Sequence, residues 1–233
     1  MIPKDSNYER LKNYSLNELG LALFGVASIN TFRMGINGEL IQASKGMKYG
    51  ISIAMKLSDS IIDSITDHPH RLYMHHYQTI NKYLDAATLL IGSKIDRMGG
   101  NYIAVPTSLF LKKRNDNTSH LSHRLVALNA GLGWIGRNNL LINPKYGPRI
   151  RLSTVLTDIS LKTDIPIEFG CGDCYDCVEA CPANALGERA EDYNLGKCDA
   201  LLSYFIGKYN VGHKICGVCI KACPIGRNND KEG

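Results

Sequence analysis

Cysteine is absent from this 233-residue chain until residue 171, so no disulfide framework can run through its body, and a small stapled secreted domain is excluded. Long hydrophobic runs are missing as well. No segment approaches the roughly 18 consecutive apolar residues of a membrane-spanning helix, and no membrane partner is expected. Concentrated charge is also lacking. A formal net charge of +5 is spread along the chain without a long basic run, which leaves acidic partners such as a reduced ferredoxin or an RNA backbone open. The opening residues, Met1 to Arg10, hold no apolar targeting stretch, and no twin-arginine pair occurs. A reducing, cytoplasmic setting is expected. Tryptophan occurs once, at Trp134. The 44% hydrophobic content suffices for one medium domain plus a small appended one.

What is there is concentrated near the end. All eight cysteines lie between Cys171 and Cys223. Cys171, Cys174, Cys177 and Cys181, followed by Pro182, read C-x2-C-x2-C-x3-C-P. Cys216, Cys219 and Cys223, followed by Pro224, form a second run, and Cys198 stands alone between them. In a bacterial-type ferredoxin run of this spacing the tight loop aims three thiolates at one cubane, and the fourth cysteine serves the other cluster. The arithmetic closes: Cys171, Cys174, Cys177 and Cys223 make one set, and Cys181, Cys198, Cys216 and Cys219 make the other. Two [4Fe–4S] clusters are therefore expected. His213 stands where a second full run would begin, and histidine can replace cysteine, but Cys198 is the preferred ligand. Structural zinc would also consume all eight cysteines. The two C-x3-C-P endings favour clusters.

The rest of the chain alternates helical and extended patterns. Residues 7–19 read as a helix, 50–56 as a strand, and Ser58 as the cap of a short helix. Pro69 can open a long helix whose stripe of Tyr73, Tyr77, Ile80, Leu84, Ala87, Ile91 and Ile95 ends near Gly99-Gly100. That stripe reads as core or subunit contact. Tyr102–Val105 is a strand, 111–119 a polar loop, and Ser119 or His120 opens a helix to Ala130. Residues 139–142 and 149–156 read as two strands joined across 143–148. The fold class expected is α/β (or α+β), with a cofactor and substrate domain over residues 1–165 and a ferredoxin-like two-cluster module over 166–233.

Two other features suggest chemistry. Gly131-Leu-Gly133-Trp-Ile-Gly136 matches G-x-G-x-x-G, but a helix precedes the glycines and a strand follows, the reverse of a dinucleotide site. The glycines could let backbone approach something flat with Trp134 alongside, or simply form a tight turn. His68, His70, His75, His76, His120 and His123 suggest a metal at first glance, but carboxylates near them are sparse and adjacent helix residues diverge. Solvated or capping histidines are the preferred reading.

The run His123-Arg-Leu-Val-Ala-Leu-Asn-Ala-Gly-Leu-Gly-Trp-Ile-Gly-Arg-Asn-Asn-Leu-Leu-Ile142, then Gly147–Leu152, then the two cysteine runs, resembles the epoxyqueuosine reductase family, which is related to reductive dehalogenases. The resemblance covers roughly residues 48–225. It implies a nitroreductase-like (flavin-reductase-like) sheet-and-helix domain that holds cobalamin beside two [4Fe–4S] clusters, fed by a low-potential donor of ferredoxin or flavodoxin type. Gly131, Gly133, Trp134, Gly136, Arg137 and Asn138 become the expected cofactor contacts, with Tyr102 and Ser108 near the substrate face. A bulky residue at Gly133 should then abolish cofactor binding and spare both clusters.

Two departures qualify the likeness. Epoxyqueuosine reductases carry an aspartate proton donor in a Val-Asp-Ser-Ala-Pro stretch, where this chain has Val105-Pro106-Thr107-Ser108 and no carboxylate. They also continue past the clusters into a helical extension that helps bind tRNA, whereas this sequence ends at Gly233. No catalytic residue is assigned. The reading is an iron–sulfur oxidoreductase acting on a small molecule or modified nucleoside, with tRNA the weaker substrate. The alternative is an electron carrier or reductase subunit without a substrate site of its own.

Overall fold

The computed structural model describes residues 4–108 and 119–227. In chain order the strands are β1 (Leu23–Ser28), β2 (Tyr49–Lys56), β3 (Tyr102–Val105), β4 (Trp134–Ile135), β5 (Leu141–Ile142) and β6 (Ile150–Thr157). The α-helices are α1 (Lys4–Asn13), α2 (Leu40–Ala43), α3 (Asp59–Asp63), α4 (Arg71–Arg97), α5 (His123–Asn129), α6 (Asp176–Glu179), α7 (Leu195–Tyr209) and α8 (Val218–Ala222). Contacts divide the chain into two units. One consists of Met1–Met55, Asn81–Leu132 and Arg151–Ile167; the other of Lys56–Ile80, Gly133–Ile150 and Glu168–Gly233. The break expected near residue 165 falls beside the Ile167–Glu168 border, and the second unit also draws in two earlier segments.

The first unit is built on a four-stranded sheet of order β1-β2-β6-β3. Both terminal pairs are antiparallel: Leu23 faces Ala54 through to Ser28 facing Tyr49, and Tyr102 faces Thr157 through to Val105 facing Thr154. The domain therefore lies on the α+β side of the expectation. Ile51, Ile53 and Ala54 on β2 are all fully buried, so this inner strand reads as a continuous apolar run rather than an alternating one. The stripe on α4 does what its period predicts. Leu84, Ala87, Ile91 and Ile95 are inaccessible, and the helix ends where Gly99 takes a positive φ and Gly100 N donates to Ile95 O.

Two boundaries differ from expectation. Helix α5 starts later, because Ser122 rather than Ser119 or His120 is its cap and accepts from Leu125 N. The polar stretch 111–119 lies almost wholly outside the described residues. Residues 139–142 and 149–156 do not form a joined pair: β5 pairs with β4, while β6 joins the main sheet. Asn143 closes the residues between them into a loop of their own. Its Oδ1 accepts from Lys145 N and Tyr146 N, and its backbone bridges to Gly147.

The second unit is loop-rich and held by specific polar links. Arg149 is the largest fully buried side chain, and its guanidinium donates to Asp59 at 3.1 Å and Asp63 at 2.7 Å. Its own carbonyl accepts from Leu57 N. Lys221 Nζ donates to Ile65 O, and Gly217, at positive φ, packs its Cα against Ile65 and Tyr73. Among the described residues no helix is long and apolar enough to cross a membrane.

Candidate functional site

The loop from Cys171 to Cys181 turns tightly, with Cys174 N donating to Cys171 O at 3.1 Å before α6 begins. Cys177 is buried on α6, and Cys223 is buried just beyond the end of α8. These parts of the chain meet. One small cavity is lined by Cys171, Cys174, Cys177 and Cys223, together with Arg137, Asn138, Ile142, Pro224 and Ile225. The remaining four cysteines form a second neighbourhood. Cys216 feels the fields of Cys198 and Cys181, and Cys219 those of Cys216, Cys177, Cys181 and Cys198. Cys198 sits on the first turn of α7, so the lone cysteine of the sequence reaches the others by way of a helix. His213 instead packs its ring beside Tyr77.

None of the eight is paired in a disulfide. Burial, then the neighbouring sulfurs, pushes Cys177, Cys216 and Cys223 up to about 11 and holds Cys219 well above the ordinary thiol value. Thiols so raised are protonated unless a cation compensates them, and metal binding is what releases such protons. A single zinc ion would need four sulfurs at about 2.3 Å from one point. Among the described residues no three His, Cys, Asp or Glu converge on one ion in that way. The first set lines the small cavity, of about 20 Å³.

The glycine run has the order helix, glycines, strand, from α5 to β4. Its glycines are not open to a flat ligand. A Cβ on Gly131 would run into Ile165 O, one on Gly133 into Ile142 O, and one on Gly136 into the Ile142 side chain. On the side where each Cβ would stand, the run is packed against the protein's own chain. The side chains of the run go to the cysteines. Trp134 Nε1 donates to Cys171 Sγ at 3.3 Å. Arg137 donates through Nη1 to Cys174 O at 3.1 Å and through Nη2 to Gly172 O at 2.8 Å, with its guanidinium 4.2 Å from the Tyr175 ring centre. Asn138 Oδ1 accepts from Leu140 N. The sequence signal that could have revealed this is the cluster of N–H side chains, Trp134, Arg137 and Asn138, directly after the glycines.

The first unit holds the other expected positions. Tyr102 lines a cavity of about 600 Å³ with Lys45, Asp96, Asn101 and Asp158. Ser108 is exposed. The stretch that lacks an aspartate is pinned by neighbours: Thr107 N donates to Asp85 Oδ1 at 2.8 Å, and Thr107 Oγ1 bonds Ser153 Oγ at 2.9 Å. His123 Nε2 must carry a proton to donate to Pro106 O, so Nδ1 accepts from Thr154 Oγ1. Burial holds this imidazole down to about 4. Asp85 was not foreseen, because it lies off the apolar stripe of α4. Two other histidines meet carboxylates, His120 Nε2 at 2.9 Å from Glu39 and His68 Nδ1 at 2.5 Å from Asp67, and others cap or pack. His70 Nδ1 accepts from Tyr73 N at the start of α4, His76 Nε2 accepts from Ser58 N, and His68 stacks on Tyr209.

No family model matches the chain. It is 37% identical to the epoxyqueuosine reductase of Staphylococcus aureus (strain NCTC 8325 / PS 47) over 124 residues, covering 50% of this chain and 32% of the relative. It is 31% identical to the epoxyqueuosine reductase of Bacillus subtilis (strain 168) over 137 residues, 52% and 35% of the two chains. It is also 40% identical over 98 residues to a tetrachloroethene reductive dehalogenase of Desulfitobacterium hafniense, covering 40% of this chain and 18% of that one. The chain thus spans about a third of the epoxyqueuosine reductases it matches. Solved structures share the fold. A reductive dehalogenase described in connection with B12-dependent dehalogenation superposes with a TM-score of 0.74 at 21% identity, over 98% of this chain and 33% of that one. An epoxyqueuosine reductase in complex with an epoxyqueuosine-modified tRNA stem loop does so with 0.63 at 22%, over 94% and 65%. Over about half of its length the chain is thus similar to epoxyqueuosine reductases, over a shorter stretch to reductive dehalogenases, and it shares the fold of both.

Proposed function

We propose that this chain is an iron–sulfur oxidoreductase that passes low-potential electrons through two [4Fe–4S] clusters toward a corrinoid-type cofactor and its substrate. The observation that carries the reading is the division of eight cysteines into two sets of four, one of them around a single cavity. Cys171, Cys174, Cys177 and Cys223 would hold one cluster, and Cys181, Cys198, Cys216 and Cys219 the other. The buried, unpartnered Nε of Arg137 and Nδ2 of Asn138 support the fit, since sulfur acceptors at that cavity would satisfy them. Bound clusters would supply one-electron chemistry. The protein's own part is to hold the thiolates, exclude water and fix the environment of the sulfurs.

A corrinoid is supported by the dehalogenase relative described as B12-dependent. The glycine run does not fit one, so no step is derived through it. A small molecule or modified nucleoside is the substrate class, and the relative bound to a tRNA stem loop supports including RNA. The electron donor would be of ferredoxin or flavodoxin type, in the reducing cytoplasm. The filled glycine face favours a second reading, an electron carrier without an organic cofactor of its own.

Anaerobic iron and sulfide assays test the core of the proposal. About eight of each per chain are expected, and stoichiometric zinc without sulfide would sink it. Adding cobalamin to the reconstituted protein separates the two readings: a perturbed corrin spectrum supports the reductase, and none supports the carrier. Binding of tRNA that weakens steeply with salt would promote RNA to the leading substrate.

A further inference from the structure

Two buried N–H groups beside the first set of cysteines have no acceptor within the protein. Arg137 Nε and Asn138 Nδ2 make no hydrogen bond, yet both side chains line the cavity with Cys171, Cys174, Cys177 and Cys223. Leaving such a donor unsatisfied costs on the order of 1–3 kcal/mol, so a native fold that keeps two points to an acceptor held there. Their orientations are fixed by other bonds. Asn138 must present Oδ1 to Leu140 N, which turns its NH2 away from that amide. Arg137 spends Nη1 and Nη2 on the carbonyls of Cys174 and Gly172, which leaves Nε–H to spare. A third donor, Trp134 Nε1, is already on Cys171 Sγ at 3.3 Å.

The charges around the two sets differ. At the first, the guanidinium of Arg137 is buried, and the carboxylates of its loop, Asp173 and Asp176, belong to exposed residues where water screens them. At the second, Asp199 adjoins Cys198, and Lys214 is bound to both oxygens of that carboxylate at 2.6 and 2.7 Å. The donors on sulfur there are the phenol of Tyr193 on Cys198 and the backbone amides of Ala185 on Cys181 and Val218 on Cys216, none of them carrying a charge. An anionic cluster becomes one unit more negative on reduction. Hydrogen bonds to its sulfurs and a buried positive charge stabilise the reduced form more than the oxidised one, which raises the potential.

We propose that Trp134, Arg137 and Asn138 form a donor collar that sets the reduction potential of the cluster held by Cys171, Cys174, Cys177 and Cys223 above that of the other. This rests on the two-cluster reading. Bound there, each cluster would supply one-electron chemistry, the reductant giving the electron with no proton moved, and the collar's donors would favour the electron on the first.

The test is a dithionite titration of the anaerobically reconstituted full chain, followed by electron paramagnetic resonance. Trp134→Phe, Arg137→Gln and Asn138→Asp should each move one midpoint to a more negative value and leave the other in place, at unchanged iron content. The signal that moves should be the one that Cys171→Ser perturbs and Cys198→Ser does not. Arg137→Gln also removes two clamps on the Cys171 loop. If that variant loses iron, Trp134→Phe, which keeps a ring in place and deletes the N–H, decides the matter. Midpoints that stay fixed, or that move together, in iron-replete variants overturn the proposal. Zinc without sulfide in the unaltered chain would instead overturn the cluster reading beneath it, and the metal assay shows this before any titration.

Discussion

Cys223 illustrates how one residue can belong to a distant run. It follows α8, next to Cys219 of the second set, yet its side chain lines the cavity of the first. Cys223→Ala should therefore lower the iron content from about eight to about four per chain and spare the cluster signal of Cys181, Cys198, Cys216 and Cys219. Loop closure grows costlier only slowly with length, so such a crossover is thermodynamically cheap. His123 offers a second single-residue experiment. Its folded-state pKa of about 4 lies below the ordinary value of 6.5, so the unfolded chain binds the proton more readily. The stability from its neutral form is full above about pH 6.5 and is lost as pH falls towards 4. Denaturant unfolding of the wild type should therefore weaken between pH 7 and pH 4.5. His123→Gln should remove on the order of 1–2 kcal/mol of that dependence. An unchanged pH slope would show that another group carries it.

Short elements do much of the positioning, and their effects are larger. Arg149 joins the segment around Asp59 and Asp63 to the stretch before β6, with its guanidinium almost fully buried. Arg149→Ala should cost about 3 kcal/mol, read as a lower urea midpoint, because it breaks a buried ion pair and leaves a cavity. The β4–β5 ribbon is two residues long on each strand, and Gly133 fits only because Ile142 O occupies the place of a side chain. Gly133→Val should thus displace the ribbon, break the Trp134 contact to Cys171, and lose the first cluster before the second. That departs from the sequence expectation, in which both clusters survive. The pattern of glycines shows that backbone must approach something closely, but not that the something is the same chain. By contrast, the α4 stripe and the turn at Gly99 were legible because a helical period and a glycine stop are local properties.

Across the whole molecule, what could be read in the sequence was whatever a short spacing encodes. The expectation of two four-cysteine sets rests on C-x2-C geometry and on the count, and the positions of α4, β2 and β3 follow from periodicity. The pairing of β5 with β4 rather than with β6 was not legible, since Asn143 closes its loop through side-chain bonds that no hydrophobic pattern records. Nor was the recruitment of Lys56–Ile80 and Gly133–Ile150 to the cysteine unit, because a buried Arg149 looks in sequence like any other arginine. If metal supplies much of the second unit's folding energy, chelation should strip amide-exchange protection from 168–227 while β1, β2, β3 and β6 stay protected. Equal loss throughout would show that the iron stabilises the sheet as well. The sole tryptophan adds a last consequence. Trp134 rests its indole N–H on Cys171 and is the only such fluorophore in the chain. Emission excited at the indole band therefore reports on one place alone, and a strongly absorbing centre at that distance will quench it. If a cluster is held there, its assembly or oxidative loss can be followed by ordinary fluorimetry, without a label.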